Sequence, residues 1–292
     1  MVLYQGIESA PALEIAPCGL FSVARVVKHS ADDTEWLRGF AVESNAFPTI
    51  KLQSNNGSAL SNNTISAGTP GSDYKNVLPF WIELDFTQTT IDFIREEFGG
   101  ASMDQIDSAT QKAVEREFWE GVATRGNTPA GTDGYLIKSG TPVVGAGTGQ
   151  SADRALALIE QSISNSPTGG RGVIHMTPDV ASTLGSHLKY VEKNEIDGKT
   201  FAVTRLGTLV VIGHGYTGSG PVGATGAGMS DTNRWIYSTG GVEVHLGVPE
   251  YTNSNLAQAF NFNVNDFVVQ ILRPAAVHFD PSIHYAARVT LS

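Results

Sequence analysis

Ala113-Val114-Glu115-Arg116-Glu117-Phe118-Trp119-Glu120-Gly121, followed by Gly126-Asn127-Thr128-Pro129, is the stretch on which the fold turns. Ile106, Ala109, Ala113, Val114, Phe118 and Val122 recur at three- and four-residue steps, which is the spacing of one helix face. The pattern predicts a helix over about residues 104–124, roughly 30 Å long at 1.5 Å per residue. Ser102 and Gln105 have capping-box spacing at its start, and Gly126 and Pro129 are expected to stop it. Glu115, Glu117 and Glu120 read as its solvated flank.

Upstream of the helix, residues 1–38 look extended, with a β-branched, strand-like run from Leu20 to Val27. An apolar piece around Phe40, Val42, Phe47 and Ile50 leads into Gln53-Ser54-Asn55-Asn56-Gly57-Ser58, where Asn56-Gly57 signals a hairpin turn. A hairpin this polar has no core of its own and is expected to project onto a partner surface. Downstream, a helix over 151–164 puts Ala155, Leu158, Ile159 and Ile163 inward. The strand Gly172 to Met176 and a helix opening on Thr177-Pro178-Asp179 follow. Thr208 to Ile212 reads as a buried strand, and residues 213–232, with seven glycines, as a long flexible loop. Arg234 to Tyr237 resumes the strand pattern. Two runs, Phe260 to Leu272 and Ala276 to Leu291, close the chain, broken by Pro274 and Pro281. The order argues for an α+β fold whose terminal segments return to one sheet.

Composition narrows the function classes. The 292 residues are 41% hydrophobic and only 16% charged, with 32 glycines, which suits a surface buried against neighbours as well as an ordinary β-rich globule. Net charge is -10, and the best basic groups are Arg25 with Lys28 and Lys189 with Lys193, so tight phosphate binding is excluded. Cys18 stands alone, which removes intrachain disulfides and thiolate zinc sites. Glu8, Pro11, Glu14 and Pro17 interrupt any signal-like start, and no window approaches the roughly 20 apolar residues of a membrane span. No membrane association is expected.

Catalytic motifs are absent. His175 with Asp179, and Asp280 with His284, could suggest metal ligands, but a His-Glu-x-x-His pattern is missing and Pro281 interrupts the second pair. Gly218-Ser219-Gly220-Pro221-Val222-Gly223 matches the bare dinucleotide pattern, yet Ala-Thr-Gly-Ala-Gly after it cannot start a helix. Gly145 to Ser151 lacks a phosphate-loop Lys, and no Gly-x-Ser-x-Gly elbow occurs. The sequons at Asn56 and Asn62 mean little without a secretion signal. The expectation is a chain without catalytic, cofactor-binding or metal residues, hence not an enzyme and without a cofactor.

Four stretches in order resemble the major capsid proteins of tailed double-stranded DNA bacteriophages, the Hong Kong 97-type fold shared with encapsulins. They are Ala113 to Gly121 with its Gly-Asn exit; Ala155 to Ser164 with Gly172 to Val180; Leu206-Gly207-Thr208-Leu209-Val210-Val211; and Phe267-Val268-Val269-Gln270-Ile271-Leu272-Arg273-Pro274-Ala275-Ala276. Together they span about residues 78–291. The resemblance implies an N-terminal arm over 1–38, an E-loop over 39–77, a peripheral domain over 78–140 and 236–292 carrying the long spine helix, and an axial domain over 141–235. The loop near 213–232 would point to a five- or six-fold axis.

The implied function is structural: self-assembly into pentamers and hexamers of an icosahedral head that encloses double-stranded DNA without sequence-specific binding. Portal, scaffold or decoration proteins are the further partners, and the location is the virion, assembled in the host cytoplasm. The long, charged scaffolding segment of many relatives is missing, and the start at Met1 favours no removal. Lys51 and Lys75 lie where some relatives crosslink, but nothing nearby marks either as reactive. The rival within the fold is an encapsulin-type nanocompartment, disfavoured by the extended look of residues 1–38. The rival outside it is a β-rich hydrolase or carbohydrate-binding protein, disfavoured because Trp119 and Trp235, two of only four tryptophans, sit in core-like patterns.

Overall fold

The computed structural model describes residues 17–43, 74–88, 103–124, 135–145, 148–166, 172–192, 200–251, 260–261 and 266–291. Two sheets dominate it. The first is built on β14 (Asp266–Phe279), which pairs antiparallel with β4 (Phe80–Gln88) along one side and with β11 (Val242–Leu246), β12 (Glu250–Tyr251) and β13 (Phe260–Asn261) along the other. Outside β11, β1 (Arg25–Lys28) adds in parallel. The second sheet has seven strands in the order β5 (Val143–Val144), β15 (Tyr285–Thr290), β10 (Asn233–Thr239), β6 (Val173–Met176), β9 (Leu209–Ile212), β8 (Thr200–Thr204) and β7 (Leu188–Glu192). A separate ribbon joins β2 (Phe40–Glu43) to β3 (Tyr74–Val77).

Among the described residues, four helices pack on these sheets: α1 (Leu20–Val23), α2 (Met103–Glu120), α3 (Ala152–Ser164) and α4 (Pro178–Leu184). The second sheet has cores on both faces, and β10 shows why its residues are nearly all buried. Its Trp235 and Tyr237 join α2, β11 and β14 in one apolar cluster, while Ile236 joins α3 and α4 in the other. Strand alternation divides one segment between two cores.

The predicted helices and strands form, with corrections that have local causes. The long helix ends at Glu120 because Gly121 adopts φ +63° and donates to the Glu117 carbonyl at 2.7 Å, a glycine-terminated C-cap. Val122 therefore lies beyond the helix and is exposed rather than inward. Gly126, Pro129 and Ser102 lie outside the described residues. On α3 the fourth inward residue is Leu156, with Leu158 only partly buried. Leu20 to Val23 is a helical turn, and only Arg25 onward is strand.

Pro274 does not break the closing strand. Its carbonyl accepts from Gly247 where the chain leaves the sheet between β11 and β12, so a missing N–H on that side costs no ladder bond. The proposed boundary at residue 235 cuts through β10, and β15 lies in the seven-stranded sheet rather than beside β14. The extended arm is also shorter than residues 1–38 imply, since Leu20 is fully buried and β1 is paired within the subunit. Asn56-Gly57 and the rest of residues 44–73 lie outside the described residues.

Candidate assembly surface

What the chain leaves exposed is defined by what its own core consumes, and α2 consumes much of it. Glu115 is fully buried on it. One carboxylate oxygen accepts from the Leu20 amide at 2.8 Å and the other from the Gly215 amide at 2.8 Å. One side chain thereby holds the base of the arm and the start of the glycine-rich loop. Burial pushes its pKa up to about 7 against the pull of those amides. Glu117 is buried as well and caps the helix exit, accepting from Ala123 N, Thr124 N and Thr124 Oγ1 at 2.6–3.0 Å. The solvated-flank reading holds only for Glu120, half-exposed beside Arg116 at 3.6 Å. Residue type and spacing could not reveal this, because the donors come from positions 20 and 215.

Of residues 213–232, the first half, 213–222, packs on the core, whereas 228–232 are exposed. Gly215 lies so close to α2 that a Cβ there would stand 2.1 Å from the Lys112 carbonyl. Tyr216 follows, its ring 4.6 Å from Trp119, and Trp119 Nε1 donates to the Ser219 carbonyl at 3.1 Å. Trp235 lies over Gly220 and donates to the Gly226 carbonyl at 2.9 Å. The glycines make room for indoles, which is a packing use of glycine. Gly218 and Gly223 have positive φ and no helix follows them, so the Gly-x-Gly-x-x-Gly match is not a dinucleotide site.

His175 and Asp179 are not brought together. His175 is fully buried between Tyr216 OH at 3.0 Å and Thr239 Oγ1 at 2.8 Å. Thr239 donates to the Gly240 carbonyl, so it accepts from His175 Nε2–H, and His175 Nδ1 accepts from Tyr216. Burial pulls the His175 pKa down to about 3, with the nearby His284 adding to the effect. Asp179 instead pairs with Arg234 at 2.6 Å. Asp280 caps Ser282, and His284 hydrogen-bonds the Leu136 carbonyl. Lys51 lies outside the described residues, and Lys75 sits opposite Val42 in the ribbon. Among the described residues, Glu243, His245 and His278 are the side chains close enough to share a metal ion. They come from two strands, so no spacing in the sequence sets them side by side.

Among the described residues, several features remain outward. The ribbon β2–β3 extends neither sheet, although its Val77 and Phe40 pack on the first sheet beside Ala276. Strand β7 ends the second sheet with its outer edge unpaired among the described residues, exposing Tyr190 and, at the turn between β8 and β9, Leu206, 77% accessible. On β4, at the border of the first sheet, Trp81 is 52% exposed. An open strand edge and exposed large apolar side chains are the usual marks of a surface meant to be covered. No helix among the described residues is long and apolar enough to cross a membrane.

No protein-family model matches the chain, and no curated protein matches it. Solved structures do. The capsid of an empty GTA particle aligns over 100% of this chain and 95% of its own, at a TM-score of 0.54 and 11% identity. The capsid of the native GTA particle aligns over 100% and 96%, at 0.50 and 11%. The chain has the Hong Kong 97-type capsid fold. An encapsulin from Synechococcus elongatus also aligns, over 99% and 92%, at 0.49 and 10%. Within this Hong Kong 97-type fold the β7 edge is unpaired among the described residues, while the first half of the glycine-rich loop packs on the core.

Proposed function

We propose that this chain is the major capsid protein of a tailed double-stranded DNA bacteriophage, a non-enzymatic subunit that assembles into pentamers and hexamers of an icosahedral head. The observation that carries the reading is the alignment of the whole chain, end to end, on capsid subunits. The β7 edge supports it, because exposed Tyr190 and Leu206 need a covering that the described part of the subunit does not supply. In this reading the first sheet with α2 is the peripheral domain, and the second sheet with α3 and α4 is the axial domain. Residues 39–77 form the E-loop, and residues ahead of Cys18 form the arm. Enclosed DNA is held by the wall rather than by affinity, in keeping with a net charge of -10. Portal, scaffold and decoration proteins would be the further partners, with assembly in the host cytoplasm.

Electron microscopy of the purified chain tests this. Closed hollow particles tens of nanometres across are expected. A discrete monomer under all assembly conditions would refute it, and particles that package a protein instead of nuclease-protected DNA would favour the compartment reading.

A further inference from the structure

We propose that Glu243, His245 and His278 form a zinc site on the face of the first sheet turned away from α2. The register brings them together. Glu243 on β11 pairs directly with His278 on β14, and His245 stands two residues along the same strand. Their neighbours Val242, Val244, Leu246, Val277 and Phe279 point into the core, so alternation puts these three side chains on the opposite face. Their ligand atoms all lie within 4.8 Å of one another.

The geometry asks for a cation. Asp33 Oδ2 lies 2.7 Å from His29 Nδ1, and His29 Nε2 lies 2.9 Å from His245 Nδ1. An ionised carboxylate only accepts, so His29 Nδ1 carries a proton and donates it. In a neutral His29, Nε2 is then an acceptor, and His245 Nδ1–H must donate to it. With His29 neutral, that chain leaves the His245 lone pair on Nε2. The lone pair lies 3.2 Å from Glu243 Oε1, a second acceptor. His245 Nε2 is buried and makes no hydrogen bond despite that distance.

Two lone-pair donors at such a distance, off the line of a hydrogen bond, are what ligands of one ion present. Tetrahedral zinc with bonds of about 2.0–2.2 Å separates its ligand atoms by roughly 3.3–3.5 Å. Glu243 divides its oxygens, since Arg25 Nη1 takes Oε2 at 3.3 Å and leaves Oε1 for the ion. The His278 ring stacks against His245 at 5.8 Å, and Phe40 packs on both. The Asp33–His29–His245 chain is the outer-shell support of a ligating histidine. Zinc would thereby tie the segment between β1 and β2, at the root of the ribbon, to the first sheet.

The test uses the full chain without an affinity tag, stripped with EDTA and titrated with zinc chloride by calorimetry. One zinc per chain is expected, with a rise of several degrees in the unfolding midpoint. His245→Gln and His278→Gln should each weaken binding at least tenfold, and His29→Gln, a positioning change, about tenfold. His187→Gln, remote from the site, should leave it unchanged. Cobalt replacing zinc in the unaltered chain should give the intense visible absorption of a tetrahedral ion, a readout that survives if a variant fails to fold. Binding that persists in the His245/His278 double variant, or an unaltered chain that binds no zinc and shows no tetrahedral cobalt band, overturns the proposal and leaves a proton-bridged pair.

Discussion

The glycine-rich segment 213–232 and the ribbon made by β2 and β3, which carries Phe40, Val42, Tyr74 and Val77, both lie outside the main strand ladders, yet the fold treats them differently. The first lies against Trp119 and Trp235, clamped by Glu115 at one end and by Asn233 near the other, where its side-chain amide donates to Gly226 and Gly228. The second pairs with itself and extends neither sheet. The lesson is that a loop's fate depends on what the rest of the chain offers it. Glycines next to two indoles join a core, whereas the ribbon rests Val77 and Phe40 on the first sheet without joining its ladder.

Breaking the first side of this comparison should cost most. Trp235→Ala empties the space above Gly220 and should lower subunit stability by about 3–5 kcal/mol in urea denaturation. An unchanged midpoint would mean that the loop is not part of the core.

Next come the two buried titrating groups under the loop, whose effects have opposite sign. Glu115 has its pKa raised from 4.5 to about 7, so the native state holds the extra proton. Its contribution is complete below about pH 4.5 and lost as the pH rises toward 7. His175 has its pKa lowered from 6.5 to about 3, so its contribution is complete above about pH 6.5 and lost as the pH falls. The two slopes offset each other in between. In Glu115→Gln, stability should therefore climb with pH up to about 6.5, by up to roughly 1.4 kcal/mol per pH unit, and in His175→Gln it should decline toward pH 7. Parallel pH profiles for the two variants would contradict both assignments.

The ribbon tests the other side. Glu43 and Tyr74 face each other in register, so an Asn-Gly turn can replace residues 44–73 and close a short hairpin. That chain should unfold within about 1 °C of the parent while forming no particles; a large loss of subunit stability would show that the segment folds onto its own subunit. The smallest effect is expected at the sheet edge. Leu206→Asp, at a site already exposed, should change subunit stability by less than about 0.5 kcal/mol. Assembly should nonetheless shift to higher protein concentration, read by light scattering.

Periodicity carried much of the architecture. The face Ile106, Val114 and Phe118, the cap at Thr177-Pro178 and the strand alternation around Trp235 were legible because helix and strand periods depend on near neighbours in the chain. The misreadings share a long-range cause. Glu115 looked solvated until Leu20 and Gly215 came to it, and Pro274 looked like a break until its gap between β11 and β12 was seen.

By itself, then, the sequence determined the α+β class, the long helix, the lack of catalytic motifs and the shortage of positive charge, all of which follow from local pattern and composition. Only the tertiary structure decided which polar residues are buried, which loop is core and which ribbon is left over. Burial is set by contacts between residues far apart in the chain, and no local pattern encodes a partner a hundred positions away.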